Sequence, residues 1–204
     1  NHLFFKIEMP VLKVLFDMEH WGVHIDVPYL NELAKKLEEN IQSLEKQIFE
    51  FCEFEFKISS PKQLGDVLFE KLKIHEQVGF KGKLAKTTQG YKTDASVLEQ
   101  FNQHPFVHLI TQYRELNKLL STYVISLPKL MSPSTKRVHT HFNQIGTVTG
   151  RLSSSDPNLQ NVPIRTELGK KVRAAFTIGS NDHVLVSADY SQIELRVLAH
   201  LSQD

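Results

Sequence analysis

The sequence predicts an α+β fold: a long antiparallel helical pair with small helices, followed by a strand-bearing segment. Two apolar seams carry the first half of that prediction, Leu30, Leu33, Leu37, Ile41, Leu44, Ile48, Phe51 and then Phe106, Ile110, Tyr113, Leu116, Leu120, Tyr123. Both step by three and four, a repeat of about 3.5 residues that lets two long helices pack side by side. The second half rests on alternation, because Val138, Thr140 and Phe142 interleave with His139, His141 and Asn143.

In chain order, Ile7, Val11, Val14, Leu15 and Met18 recur at helical spacing, with Pro10 near the start and Gly22 as a stop. A first helix ending near Trp21 follows. Asp26 is an N-cap candidate with Pro28 in the first turn, opening the first long helix. Ser60, Pro61 and Gln63 read as a capping box ahead of a short helix whose face is Leu64, Val67, Leu68 and Leu72. Residues 73–93 hold no period and are rich in Gly, Thr and Lys, so they read as a flexible basic loop at the far end of the helical pair. The lysines, among them Lys81, Lys83 and Lys86, either keep that loop solvated or touch phosphates, and composition leaves both open. A boundary falls near 128–136, giving units 1–130 and 131–204. In the second unit, residues 153–158 (Ser-Ser-Ser-Asp-Pro-Asn) read as a loop and Asn181-Asp182 as a turn. Val184–Ala188 is an apolar run that reads as a buried strand ending in Asp189.

The 204 residues are 41% hydrophobic and 23% charged, a globular composition able to bury a core. A formal net charge of +1 predicts no polyanion partner by itself, so any basic surface is local. Cys52 is the only cysteine, which excludes a disulfide framework and a cysteine-rich zinc site and fits a reducing compartment. No leader pattern opens the sequence and no apolar run approaches a membrane span, so a soluble intracellular protein without membrane contact is expected.

Asp189 sits where the apolar run stops and, with Ser191 as N-cap and Glu194 as capping partner, where a helix begins. A carboxylate fixed at a strand end suits Mg²⁺, which takes oxygen ligands and keeps much of its water. An aspartate there equally serves a turn or cap, and capping alone accounts for Glu194. Gly150 to Asn161 gathers Arg151, Ser153, Asn158, Gln160 and Asn161 into one polar loop. Such side chains reach minor-groove acceptors that every base pair presents in similar places. His139 and His141 share a strand face, yet no third His or Cys accompanies them for a metal.

Thr147–Arg165 (TVTGRLSSSDPNLQNVPIR) resembles the palm-entry motif of family A DNA polymerases, the DNA polymerase I family, and Val184–Asp204 (VLVSADYSQIELRVLAHLSQD) resembles their motif A. Ile7–Pro10, Ile58–Leu64, Lys86–Thr88, Tyr113–Lys118 and Ser121–Tyr123 resemble weaker thumb signatures, so the likeness covers nearly the whole chain. It implies a thumb over 1–130 with a basic tip around 73–93, and the N-terminal part of an antiparallel β-sheet palm over 131–204. It implies template-directed addition of dNTPs to a primer 3′ end, with two Mg²⁺ ions in the complete enzyme and Asp189 as the catalytic, metal-binding carboxylate. By the same likeness the main-chain carbonyl of Tyr190 completes the metal shell, Ser191 and Gln192 lie at the nucleotide, and Glu194 crowds the sugar 2′ position. Arg151, Ser153, Asn158, Gln160, Asn161 and Arg165 are implied DNA contacts of the palm. Arg114, Lys118, Ser121 and Thr122 are implied contacts of the thumb, and Lys81, Lys83 and Lys86 of its tip. Leu120 departs from the pattern, standing where a lysine is common.

The fingers motif and the His-Asp-Glu motif holding the second aspartate have no counterpart in these residues, nor has a proofreading domain. The expectation is therefore a monomeric fragment, inactive without the remaining polymerase segments, whose partners are primer-template DNA and dNTP in a bacterial, nucleoid-associated cytoplasmic setting. The alternatives are a non-catalytic duplex-DNA-binding module and, less favoured, a hydrolase pairing Asp189 with Glu194.

Overall fold

The computed structural model describes residues 2–164, 166–180 and 182–203, so Arg165 and the Asn181 half of the expected turn lie outside the described residues. After a π-helical stretch, Leu3–Glu8, comes α1 (Met9–Trp21). It stops at Gly22, whose φ of 59° and close approach to Val138 both demand glycine: a Cβ there would lie 2.6 Å from the Val138 carbonyl oxygen. The apolar face expected on this helix is largely uncovered. Leu15 is buried, while Ile7, Val14 and Met18 are exposed, because among the described residues little packs against that side.

Next, β1 (His24–Ile25) leads into α2 (Val27–Cys52). Asp26 caps it as expected, its Oδ1 accepting the Tyr29 amide at 2.9 Å. The seam is Leu30, Leu33, Leu37, Ile41, Leu44, Ile48 and then Cys52 rather than Phe51. A step of four from Ile48 stays on the buried stripe, which turns Phe51 partly to solvent. α2 ends at Glu53 in a left-handed conformation.

α3 (Pro61–Asp66) runs on into a π-helical stretch, Val67–Lys71. Ser60 caps it, but the reciprocal half of the expected capping box is redirected: Gln63 Oε1 accepts from the Lys57 amide at 2.7 Å, while the Ser60 amide bonds to the Lys57 carbonyl. The segment expected to be a featureless loop contains α4 (Ile74–Gln77) and a hairpin of β2 (Lys86–Thr87) with β3 (Gly90–Tyr91). Thr87 Oγ1 closes its turn by accepting the Gln89 amide at 3.1 Å, and Gly90 supplies a φ of 133°. α5 (Ala95–Glu99) follows, capped by Asp94.

α6 (Pro105–Leu119) continues as a π-helical stretch, Leu120–Val124, and then α7 (Ser126–Lys129). It buries Phe106, Val107, Ile110, Tyr113, Leu116 and Leu119 against α2. The pair is antiparallel, since the Phe51 ring meets Phe106 at 5.2 Å and Tyr113 donates to Glu45 at 3.1 Å, so one chain descends as the other rises. Leu120 is buried in this core and offers nothing to a partner.

Beyond α7, β4 (His141–Asn143) pairs antiparallel with β5 (Ser153–Ser155) in the register His141↔Ser155, so the start of the expected loop is strand. α8 (Glu167–Ala174), capped by Thr166, leads to β6 (Phe176–Thr177), which pairs antiparallel with β1. Val138, Val172 and Ala175 join the same buried cluster as the helical pair. The architecture among the described residues is thus mixed: helices with three two-stranded antiparallel sheets.

α9 (Ile193–Ser202) ends the described chain. The strand expected over 184–188 does not form. Val184, Leu185 and Val186 are 82%, 73% and 81% exposed, because among the described residues no neighbouring strand satisfies their backbone groups.

Two outcomes follow from this packing. Ile110→Ala, emptying a fully buried site between α2 and α6, is expected to lower unfolding free energy by about 2–5 kcal/mol in urea titration. The second concerns His104, the N-cap of α6: its Nδ1 accepts the Phe106 amide at 3.2 Å and its Nε2 meets Gln77 Oε1 at 3.0 Å. Burial holds its imidazole below the ordinary value of 6.5, so the folded state binds fewer protons than the unfolded chain. Stability present above about pH 6.5 is then lost as pH falls from that value toward the depressed one. His104→Asn, which retains a capping acceptor, should flatten that part of a stability-against-pH curve.

Candidate nucleic-acid interface and metal-binding aspartate

The polar loop after β4 is built by a small network. Ser154 is buried; its Oγ donates to Asn158 Oδ1 at 3.2 Å and accepts the amides of Leu159 and Gln160 at 3.2 and 3.3 Å. Asn158 Oδ1 also accepts the Gln160 amide at 3.1 Å, so Asn158 holds the loop's own shape. Thr140 Oγ1 lies 3.0 Å from the Ser155 carbonyl and 2.7 Å from that of Pro157, fastening the loop to the strand before it. Tyr123 donates to the Asn161 carbonyl at 2.6 Å and ties the loop to the end of the long helix. Arg151, Gln160 and Asn161 are exposed, as is Asn158, while Ser153 is in the β5 ladder opposite Asn143.

Arg151 and Glu194 meet across the chain, Nη2 to Oε1, at 2.5 Å. Both side chains are at least three-quarters exposed, so the pair contributes about 1 kcal/mol or less and opens readily. Glu194 is free for this because the expected capping box does not form. The residue at the head of α9 is Gln192, at a φ of 54°, with no side-chain cap; the Ser191 carbonyl instead accepts from Arg196 Nε at 3.0 Å. Gln192 needs that left-handed conformation to turn the chain into the helix, and serine at 191 then lies too early to cap it.

Asp189 and Tyr190 lie on the exposed stretch before α9, and among the described residues no hydrogen bond or ion pair engages the Asp189 carboxylate. Its oxygens and the neighbouring Tyr190 carbonyl are hard donors of the kind Mg²⁺ takes. No group of three His, Cys, Asp or Glu gathers among the described residues. His139 has both ring nitrogens engaged, Nδ1 with the Glu19 carbonyl at 2.7 Å and Nε2 with Thr135 Oγ1 at 2.6 Å. Glu19 also accepts the Phe142 amide, at 2.5 Å, docking α1 onto β4, a pairing 123 residues apart that no local pattern announces.

On the helical side, Lys118 and Thr122 are exposed, and Ser121 Oγ donates to the Asn117 carbonyl at 2.7 Å. Arg114 does not project freely. It is half-buried, and its guanidinium donates to the carbonyl and, at 3.0 Å, to the Oγ1 of Thr93. Lys81 and Lys83 are exposed, and the Lys86 ammonium lies 4.3 Å over the Tyr91 ring. The structure therefore brings Arg151 to Glu194 and gathers Ser154, Asn158 and Gln160. Among the described residues, no hydrogen bond or ion pair joins Asp189 or the tip lysines to either group. No described helix is long and apolar enough to cross a membrane.

Comparison with known proteins matches residues 27–204 to the model of DNA polymerase family A. DNA polymerase I of Synechocystis is 49% identical over 200 residues, covering 98% of this chain and 20% of that protein. DNA polymerase I of Bacillus subtilis is 47% identical, covering 99% and 22%. The POL domain of Pol1 from M. smegmatis, solved in complex with DNA primer-template and dNTP, superposes with a TM-score of 0.84 at 37% identity, covering all of this chain and 35% of that one. The chain spans about a fifth to a quarter of the curated relatives it matches. With the family model covering most of its length, the chain belongs to DNA polymerase family A.

Proposed function

We propose that this chain is the thumb (1–130) and the N-terminal part of the palm (131–204) of a DNA-directed DNA polymerase that extends a primer with dNTPs. The observation that carries the reading is the family match over 27–204, which includes both the polar loop and the Asp189 segment. The solved relative bound to primer-template and dNTP supports the same partners here.

In this reading the helical pair lies along the primer-template duplex. Lys118, Ser121 and Thr122 meet its backbone, and Lys81, Lys83 and Lys86 add a salt-sensitive grip, each neutralised phosphate steepening the dependence of log K on log salt by about 0.9. Arg151, Gln160 and Asn161 face minor-groove acceptors and test pair shape rather than sequence. Ser154 and Asn158 act behind them by holding the loop. For Arg151 to reach the duplex, its pair with Glu194 opens at small cost. Glu194 is then available to crowd the sugar 2′ position and exclude ribonucleotides, with Ser191 and Gln192 beside the nucleotide.

Asp189 and the Tyr190 carbonyl would hold Mg²⁺. When bound in the complete enzyme, two such ions would lower the pKa of the primer 3′-hydroxyl and offset charge on the triphosphate. The family's fingers motif and its second catalytic aspartate are not among these residues, so the 204 residues unaided are expected to leave a primer unextended in the presence of Mg²⁺ and dNTPs. The setting that fits is a bacterial cytoplasm, at the DNA.

A chimera in which this chain replaces the matching segment of one of its relatives tests the reading. Asp189→Asn is expected to cut primer extension by roughly 10²-fold or more while duplex affinity stays. Unchanged synthesis would favour the alternative, a non-catalytic duplex-binding module. In the same chimera Glu194→Ala is expected to raise ribonucleotide incorporation, measured as alkali-sensitive product, with little change in duplex affinity.

A further inference from the structure

We propose that Arg114 is a positioning residue: a strut from the helical pair that sets the basic tip against the duplex, acting through Thr93 rather than by touching phosphate. The proposal rests on the polymerase reading above. Arg114 lies mid-way along α6, between the buried Tyr113 and Leu116, so its backbone belongs to the most firmly packed part of the molecule. Its guanidinium reaches a residue 21 positions earlier and takes both oxygens that Thr93 offers, the carbonyl and the hydroxyl. Thr93 is 4% exposed. A buried carbonyl and hydroxyl satisfied by a fork of two N–H donors form a directional joint, which lysine reproduces only in part.

Thr93 is also the foot of the tip. The Lys92 amide bonds to the Ala85 carbonyl at 2.9 Å, extending the hairpin that carries Lys86. Tyr91 donates to Glu70 and sits against Gly65 of α3, where a Cβ would come within 3.1 Å of it. Asp94, the next residue, caps α5 through the Val97 amide at 3.1 Å. Thr93 thus joins the hairpin to α5, and Arg114 fixes that junction to α6. Burial lowers the Arg114 pKa, and the Asp94 carboxylate opposes that shift.

The test compares Arg114→Ala, Arg114→Lys, Thr93→Val and the Ala/Val double variant. Backbone hydrogen exchange over 85–93 and duplex affinity against salt are measured on the 204-residue chain, and KM for primer-template against kcat in the chimera. Arg114→Ala and Thr93→Val are both expected to speed exchange over 85–93 and to weaken duplex binding about tenfold, equivalent to about 1.4 kcal/mol. The double variant should be no weaker than the weaker single, Lys should restore part of the loss, and KM should rise more than kcat falls. The proposal is overturned if Arg114→Ala weakens binding and removes about one phosphate from the salt slope while Thr93→Val binds like the parent, since Arg114 is then a direct ligand. Unaltered exchange in both singles also overturns it. If the parent chain binds no duplex, the reading of the helical pair and its tip as a duplex grip fails, and exchange over 85–93 still decides the strut.

Discussion

Burial of one apolar stripe against another, Leu30 to Cys52 on α2 and Phe106 to Val124 on α6 and its continuation, is the constraint on which the rest of the molecule hangs. Neither helix keeps its stripe from water alone, and most helical stability in proteins comes from such packing. Because the partners run in opposite directions, the pair has two distinct ends. At one, Phe51 meets Phe106 and the chain between them makes the excursion that carries the lysines. At the other, the Asp26 amide bonds to the Ala175 carbonyl and Tyr123 holds Asn161, so the strands and the polar loop gather there. α6 touches both ends, which is why its exposed positions connect tip and loop.

Polar side chains near the candidate interface divide by where their hydrogen bonds go. Ser154, Asn158, Ser121 and Arg114 spend theirs inside the protein, on backbone amides and carbonyls. Gln160, Asn161, Lys118 and Thr122 keep theirs outward. Residue type does not separate the two groups, since both contain amides, hydroxyls and a cation. Only three-dimensional placement does.

That division marks how far the sequence could be read. The long helices were legible because periodicity and a cap at Asp26 agree, and the family likeness in the polar loop and around Asp189 was legible as a run of uncommon choices. Exchange of Phe51 for Cys52 at the end of the seam was not, because either a step of three or of four continues the pattern. The tip hairpin hides in four residues whose cue is one glycine and one threonine. Contacts between distant positions, Arg151 with Glu194 and Arg114 with Thr93, leave no local trace at all. The apolar run at 184–188 misled for a related reason: it encodes a preference for being covered on both faces, and that preference becomes a strand only beside another strand.

That run has a practical meaning for anyone handling the chain by itself. Val184, Leu185 and Val186 present an uncharged, apolar run with open backbone donors and acceptors, the recipe for sticking to a second copy and growing into sheets of its own. Purification in isolation would go better with a lysine or proline gatekeeper at Val184 or Val186, away from Asp189.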